Sequence, residues 1–228
     1  MREDVLAAIL SADKELSRDE PEVAANIGQQ LEHMGLTTWS ISVRRRIRDA
    51  VARLEPKHII HAGAGIGHLP AWLLDYFENK EGLEELQLIE EGNRFAVILK
   101  RLCDRYSSVP TSIVVGSPTL LSSELKAWTI SKSGNPPILP NADAIIVEAP
   151  LNRLAAEVNA MLPLLSQNGV LFTTEPTPPV GDREEDDPEV VAFNKWMELI
   201  HESNNTHHLA FAPLFGGTIV AWLPKVQA

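Results

Sequence analysis

The sequence predicts an α/β fold: a mainly parallel, seven-stranded sheet with helices on both faces and an antiparallel hairpin at one edge. Three observations carry this. From residue 58 onward short β-branched runs alternate with amphipathic stretches, the pattern of parallel strands joined by helical crossovers. A glycine-rich turn, "HAGAGIGH", links the first such run to the first helical stretch after it. The tail "HHLAFAPLFGGTIVAWLPK" holds two strand-like runs around Gly216 and Gly217, which suit an antiparallel pair.

In chain order, residues 3–10 and 21–35 space their apolar positions (Val5, Leu6, Ile9; Val23, Ile27, Leu31, Met34) as amphipathic helices do, with Pro21 suited to a first helical turn and Gly35 to a stop. They are expected as covering helices within residues 1–41, ahead of one ligand-binding domain over 42–228. "SVRRRIRDAVARLEP" sets Val43, Ile47, Val51 and Leu54 on one stripe and leaves Arg44, Arg45, Arg46, Arg48 and Arg53 mostly on the rest, read as a solvated face. "HIIHAG" is then a strand, "LPAWLLDYFENK" a helix, "EELQLIEE" a strand and "NRFAVILKRLCDRY" a helix. "PTSIVVGS" and "ADAIIVEA" are further strands, and "LNRLAAEVNAMLPLLSQNG" is a helix stopping near Gly169 before the strand "VLFTTE". The segments Ser131–Asp143 and Glu175–Glu189 break this rhythm with prolines and, in the second, a dense acidic run. Ser131–Asp143 is read as a lid at the ligand-binding edge of the sheet.

Composition narrows the function. The 228 residues include 31 acidic and 20 basic side chains, a formal charge of -11 that argues against a broad nucleic-acid footprint. The lone Cys103 excludes an intrachain disulfide framework and a clustered-cysteine metal site, and it fits the reducing cytoplasm. Apolar runs such as Gly217–Leu223 fall far short of the ~20 residues that span a bilayer. The acidic start "MREDVLAAILSADKE" lacks the basic n-region of a secretory signal.

The sharpest local signal is "HIIHAGAGIGHLPAW". Gly63, Gly65 and Gly67 lie between a buried-looking strand and a helix, where they permit a tight turn, and the helix start presents unpaired N–H groups to a ligand. A dinucleotide fingerprint would place glycine at position 68, which is His68 here. Glu90, at the tip of the second strand, can accept both hydroxyls of a ribose. Gly116 and Ser117, after the third strand, offer close approach and a hydrogen-bonding hydroxyl near a nucleobase.

On these motifs, in this order, the chain resembles the class I S-adenosylmethionine-dependent methyltransferases, and within them the catechol and caffeoyl-CoA type small-molecule O-methyltransferases, from about Ser42 to Pro224. "HAGAGIG" stands as the cofactor loop, "LIEEGNRFAVILKRL" as second strand and helix, "VVGSP" and "DAIIVEAP" as the next strand ends, and "APLFGGTIVAWLPK" as the closing edge strands. The resemblance implies a Rossmann-like class I methyltransferase fold, with S-adenosylmethionine as cofactor. It puts Gly63, Gly65 and Gly67 against the methionine part, Glu90 on the ribose, and Gly116 and Ser117 near the adenine. His61 stands where the family usually has an acid, so it would reach the cofactor's amino end only as a neutral imidazole through water. Metal-dependent members hold a divalent ion with an acid after the fourth strand and an acid–amide pair after the fifth. Glu148 matches the first position, but Thr174 and Glu175 stand at the pair, and Leu151 and Pro150 replace a lysine and a tryptophan found in some members. A metal-free site is therefore expected.

The expected reaction is methyl transfer to an oxygen, less favourably a nitrogen, of a small acceptor, with Glu148, Glu175 and His68 as candidate catalytic groups and "SKSGNPPILP" closing over them. Homodimerisation is expected from the apolar tail and N-terminal helices, and no membrane partner. Two alternatives stay open: a non-catalytic or assembly protein that keeps nucleoside binding on this fold and, from the arginine-rich helix, a phosphorylated or tRNA acceptor.

Overall fold

A computed structural model describes residues 2–225 of the chain. Three helices, α1 (Arg2–Ile9), α2 (Glu22–His33) and α3 (Ile41–Leu54), precede the first strand. Then follow β1 (His58–Ala62), α4 (His68–Phe77), β2 (Glu85–Glu90), α5 (Asn93–Arg105), β3 (Thr111–Val115), α6 (Pro118–Ser131), β4 (Ala142–Val147) and α7 (Leu151–Met161). The chain closes with β5 (Leu165–Thr174), α8 (Pro188–Ser203), β6 (His207–Leu214) and β7 (Gly217–Pro224).

The strands form one seven-stranded sheet in the order β3-β2-β1-β4-β5-β7-β6. The first five run parallel, whereas β7 lies antiparallel to both β5 and β6, the edge hairpin that the tail predicts. Strand order reverses between β1 and β4, which opens a crevice at their carboxyl ends. Alternation along the strands splits the apolar interior in two: Ile59, Leu86, Leu88, Ala144 and Ile146 pack with α1 to α5, whereas Ile60, Ile89, Ile145 and Val147 pack with α6 to α8. Leu6, Ile27 and Leu31 of the N-terminal helices belong to the first of these cores.

Helix α3 depends on its neighbours at both ends. Ser40 caps it by accepting the Val43 N–H at 3.3 Å, and its hydroxyl also donates to the Phe215 carbonyl at 3.0 Å, so the turn of the edge hairpin fixes where α3 begins. The helix ends at Glu55, in the left-handed region at φ 46°, ahead of Pro56. Its arginine face is not the solvated surface that the pattern predicts: Arg44 and Arg48 are each only 5% exposed. They stand one position beyond Val43 and Ile47, so they turn with the apolar stripe into the protein.

Three further departures have simple causes. The helix expected to run to Gly169 ends at Met161, because Pro163 lacks an N–H to continue it; a short 3₁₀ turn over Leu162–Leu164 leads directly into β5. Helices α6 and α8 add to those the periodicity singles out, each opening on a proline in its first turn, with Asp187 capping α8 through the Glu189 N–H at 2.8 Å. The proline segment Ser131–Asp143 is not a lid over the ligand edge. It leads into the start of β4, at the opposite edge of the sheet, where Ile138 is buried and the Leu139 N–H donates to the Gln87 side-chain oxygen at 2.9 Å.

Candidate functional site

The loop between β1 and α4 takes the shape its glycines allow. Gly63, Gly65 and Gly67 sit at φ 80°, 57° and 97°, in the left-handed region that side chains avoid. The end of β2 pins this loop from one side. The Gly63 and Ala64 N–H groups donate to the Ile89 carbonyl at 3.0 and 3.1 Å. Glu90 accepts the Gly65 N–H on Oε2 and the Gly92 N–H on Oε1, both at 2.8 Å. Each carboxylate oxygen thus keeps a further acceptor site, which is what a ribose hydroxyl needs. From the other side β4 presses close: a Cβ built on Gly63 would stand 1.8 Å from the Glu148 carbonyl oxygen.

Beside this loop lies a cavity of about 420 Å³ whose walls include Gly63, Gly65, Phe95, Trp39, His68 and Glu148. A second cavity of about 380 Å³ adjoins it across Leu31, Leu36, Thr38, Trp39 and His68, and holds Glu20 and Arg44 on its far wall. Glu148 is the acidic group facing the first cavity. Its side chain is half-buried on the cavity wall, and the loss of water there pushes its carboxyl up to about 8, while the field of Arg44 pulls it partly back. At neutral pH it therefore holds its proton, and a cation arriving beside it favours the release of that proton.

Behind the cavities a polar knot is built on one atom, Glu20 Oε1. It accepts from Arg44 Nη2 at 2.9 Å and from Trp72 Nε1 at 3.3 Å, and lies 3.3 Å from His68 Nε2. Arg44 also donates through Nη1 to the Trp39 carbonyl, whereas its Nε is buried without a partner. His68 is brought down to about 4, mainly by burial and then by the Arg44 charge, so it is a neutral imidazole at pH 7. Arg44 and Glu20 are the members of the site that the sequence does not single out. The signal for Arg44 was present in its i+1 position beside the buried Val43.

The other predicted residues fall in different places. His61, which the resemblance would set beside the cofactor's amino end, is fully buried within β1, is brought down to about 3 by burial, has no hydrogen-bond partner on either ring nitrogen and does not line the cavity. Gly116 donates its N–H to the Glu90 carbonyl at 3.1 Å, and Ser117 pairs its hydroxyl with Thr119 at 2.9 Å at the start of α6. Neither lines the cavity. An ion pair joins Arg153 on α7 to Glu91, just beyond β2. Glu175 is exposed, with its N–H on the Thr218 carbonyl at 2.8 Å, and is not part of the cavity wall. Among the described residues no group of three or more His, Cys, Asp or Glu side chains converges as a metal site, and no helix is long and apolar enough to cross a membrane.

No family model matches the chain, and no curated protein is similar to it in sequence. Solved structures are similar to it in fold along nearly its whole length. The O-methyltransferase TomG from Streptomyces achromogenes, in complex with SAM, superposes with a TM-score of 0.65 at 14% identity, covering 91% of this chain and 92% of that one. An O-methyltransferase from Bacillus cereus in complex with SAH gives 0.59 at 15% identity over 97% and 96% of the two chains. The SAH-bound methyltransferase PaMTH1 from Podospora anserina gives 0.59 at 14% identity over 98% and 95%. With the sheet order, the glycine loop and the edge hairpin, these matches establish that the chain has the fold of the class I S-adenosylmethionine-dependent methyltransferases.

Proposed function

We propose that this protein is an S-adenosylmethionine-dependent methyltransferase acting on an oxygen of a small-molecule acceptor. The observation that carries the reading is the juxtaposition of a glycine loop, fastened at Gly65 by one oxygen of Glu90, with a cavity that Glu148 faces. The residues fit the cofactor. Gly65 lines the cavity with open space where a Cβ would stand, Glu90 retains acceptor capacity for ribose hydroxyls, and α4 begins at Gly67 with no side chain capping its N–H groups. When bound, S-adenosylmethionine supplies a methyl carbon made electrophilic by its sulfonium.

The chain's own work is then alignment and proton handling. Leu31, Leu36, Trp39 and Phe95 give the first cavity apolar walls that exclude water and orient an acceptor. Glu148 Oε, once deprotonated, takes the proton of the acceptor hydroxyl as that oxygen bonds to carbon. His68 is neutral at that moment and contributes shape and a hydrogen bond to Glu20. Glu175 is exposed and does not line the cavity.

Isothermal titration with S-adenosylmethionine and S-adenosylhomocysteine, with NAD as control, tests the cofactor. Both sulfur nucleosides are expected to bind and NAD is not; absence of binding by both at millimolar concentration overturns the reading. Screening phenolic, carboxylic and amine acceptors for S-adenosylhomocysteine release, with EDTA and with magnesium, tests the reaction. Release that persists in EDTA is expected, because Thr174 and the exposed Glu175 complete no donor set around Glu148. Release abolished by EDTA and restored by magnesium would assign Glu148 to a metal. The same reading takes the protein as cytoplasmic and dimeric, from the reduced Cys103 and the exposed Phe211 and Phe215 of the hairpin. A monomer mass by light scattering would remove the dimer.

A further inference from the structure

We infer that the second cavity is the subsite for the far end of the methyl acceptor, and that this end carries an ammonium group, received by the Glu20 carboxylate with Glu32 beside it on the same wall. That the ligand is a methyl acceptor rests on the methyl transfer proposed above; the recognition of an ammonium does not.

Space comes first. Methyl transfer is direct, so cofactor and acceptor must lie in contact within one site. Pockets for single ligands run ~300–1,000 Å³, and the first cavity, about 420 Å³ beside the glycine loop, is small for two molecules. The second, about 380 Å³, adjoins it across Leu31, Leu36, Thr38, Trp39 and His68, and no residue of the glycine loop from Gly63 to Gly67 lines it. His68 belongs to both walls. Helix α2 makes room for it at Gly28, where a Cβ would stand 3.1 Å from the imidazole Cε1. Glycine weakens a helix interior, and here it admits the ring that the two cavities share.

The chemistry of the subsite follows from how Glu20 is held. Arg44 Nη2, Trp72 Nε1 and His68 Nε2 all meet its Oε1, at 2.9, 3.3 and 3.3 Å. Among the described residues no hydrogen bond or ion pair reaches Oε2, and the side chain keeps 21% of its surface exposed. A carboxylate fixed by three groups on one oxygen presents the other to a donor in the cavity. Charge selects the donor. Arg44 is matched by Glu20, and its Nη groups are engaged by the Trp39 carbonyl and by Glu20 itself. Glu32, in the last turn of α2, is exposed and has no ion-pair partner among the described residues. With His68 neutral, the wall holds two acids against one base. Trp39 adds an aromatic ring, a group that attracts cations. An anionic end would face Glu20 and Glu32 with the arginine already engaged, and the formal charge of -11 on the whole chain disfavours it in the same sense.

Three phenols of matched length test this by isothermal titration into the full-length protein saturated with S-adenosylhomocysteine: tyramine, with an ammonium end, 4-propylphenol, neutral, and 3-(4-hydroxyphenyl)propanoate, anionic. Tyramine should bind about tenfold tighter than 4-propylphenol, and the propanoate weakest. Glu32→Gln should cut that preference about twofold and Glu20→Gln should abolish most of it, whereas Glu148→Gln should leave it in place. Equal affinities for tyramine and 4-propylphenol, no binding by any of the three at millimolar concentration, or a preference that both Glu20→Gln and Glu32→Gln keep would each overturn the inference. A preference lost only in Glu148→Gln would move the ammonium to the first cavity and overturn it as well. Should Glu20→Gln not fold, the Glu32→Gln and Glu148→Gln titrations decide. Should S-adenosylhomocysteine not bind, the cofactor reading fails, and the same titrations on the unliganded protein decide the subsite. If tyramine binds as stated and yields no S-adenosylhomocysteine when S-adenosylmethionine is supplied, the ammonium subsite stands and the proposed methyl transfer is what fails.

Discussion

Replacing Gly63 by alanine should be the most damaging single methyl addition in the glycine loop. The new Cβ would stand 1.8 Å from the Glu148 carbonyl oxygen, an overlap of well over an ångström on backbone that cannot retreat. The Glu148 N–H is tied to the Ala62 carbonyl at 2.9 Å, and the Gly63 N–H to the Ile89 carbonyl at 3.0 Å, so separating the two segments breaks hydrogen bonds linking three strands. The left-handed φ of 80° adds ~1–2 kcal/mol. One or two lost bonds add roughly 1 kcal/mol each, and overpacking ~1–3 kcal/mol. The sum, about 3–7 kcal/mol, is a large part of the ~5–15 kcal/mol that holds a typical domain folded. Gly67→Ala meets side chains and no backbone, Leu102 at 2.4 Å and Leu99 at 3.1 Å, which can rotate, and Gly65→Ala, with nothing within 4 Å, meets backbone strain alone. Urea unfolding of the three variants should therefore rank Gly63 as the most costly, Gly67 next and Gly65 least. A Gly63→Ala protein within about 1 kcal/mol of Gly65→Ala would refute the reasoning, since only the clash separates them.

Two other outcomes follow from the buried acids, histidines and Glu90. Glu148 and Glu157 keep their protons in the folded chain up to about 8 and about 7, against 4.5 when unfolded, so the stability they contribute is complete below 4.5 and lost as pH rises through those values. His61 and His68, brought down from 6.5 to about 3 and about 4, contribute above 6.5 and lose that contribution as pH falls through 4 and 3. Melting temperature should thus peak between 4.5 and 6.5, and Glu148→Gln should flatten the alkaline limb; an unchanged limb in that variant would count against the buried acid. Glu90→Ala should weaken S-adenosylhomocysteine binding by roughly 1–3 kcal/mol in a protein that still folds, whereas unchanged affinity would reduce Glu90 to a loop fastener.

The fold was legible because its strands are unmistakably β-branched and its glycines fall where a strand meets a helix. "HIIHAG" and "ADAIIVEA" read as buried parallel strands, and they pair side by side. The order of elements also held an answer that composition concealed. Ser131–Asp143 looks like a lid because it is rich in proline, but a loop feeding into a parallel strand must lie at the amino edge, away from the ligand, whatever its residues. The site was legible only where one short segment defines it, as in Gly63 to Gly67, or where a strand tip carries an acid, as with Glu90 and Glu148. Arg44 and Glu20 lie outside that class. They are 24 residues apart in sequence, and their chemistry exists only after α3 has docked against the sheet and the 10–21 segment has folded back along it. Arg48 shows the same limit: it reaches the Ser17 carbonyl at 2.7 Å and stacks 5.4 Å over the Trp72 ring, contacts a helical wheel assigns to solvent. A strictly a/d view of α3 makes its stripe too narrow, whereas a stripe one position wider brings in Arg44 and Arg48 together. A charged residue at the margin of an apolar stripe is therefore a candidate for burial against a partner acid. In this chain that partner, Glu20, connects the arginine to His68, which lines both cavities.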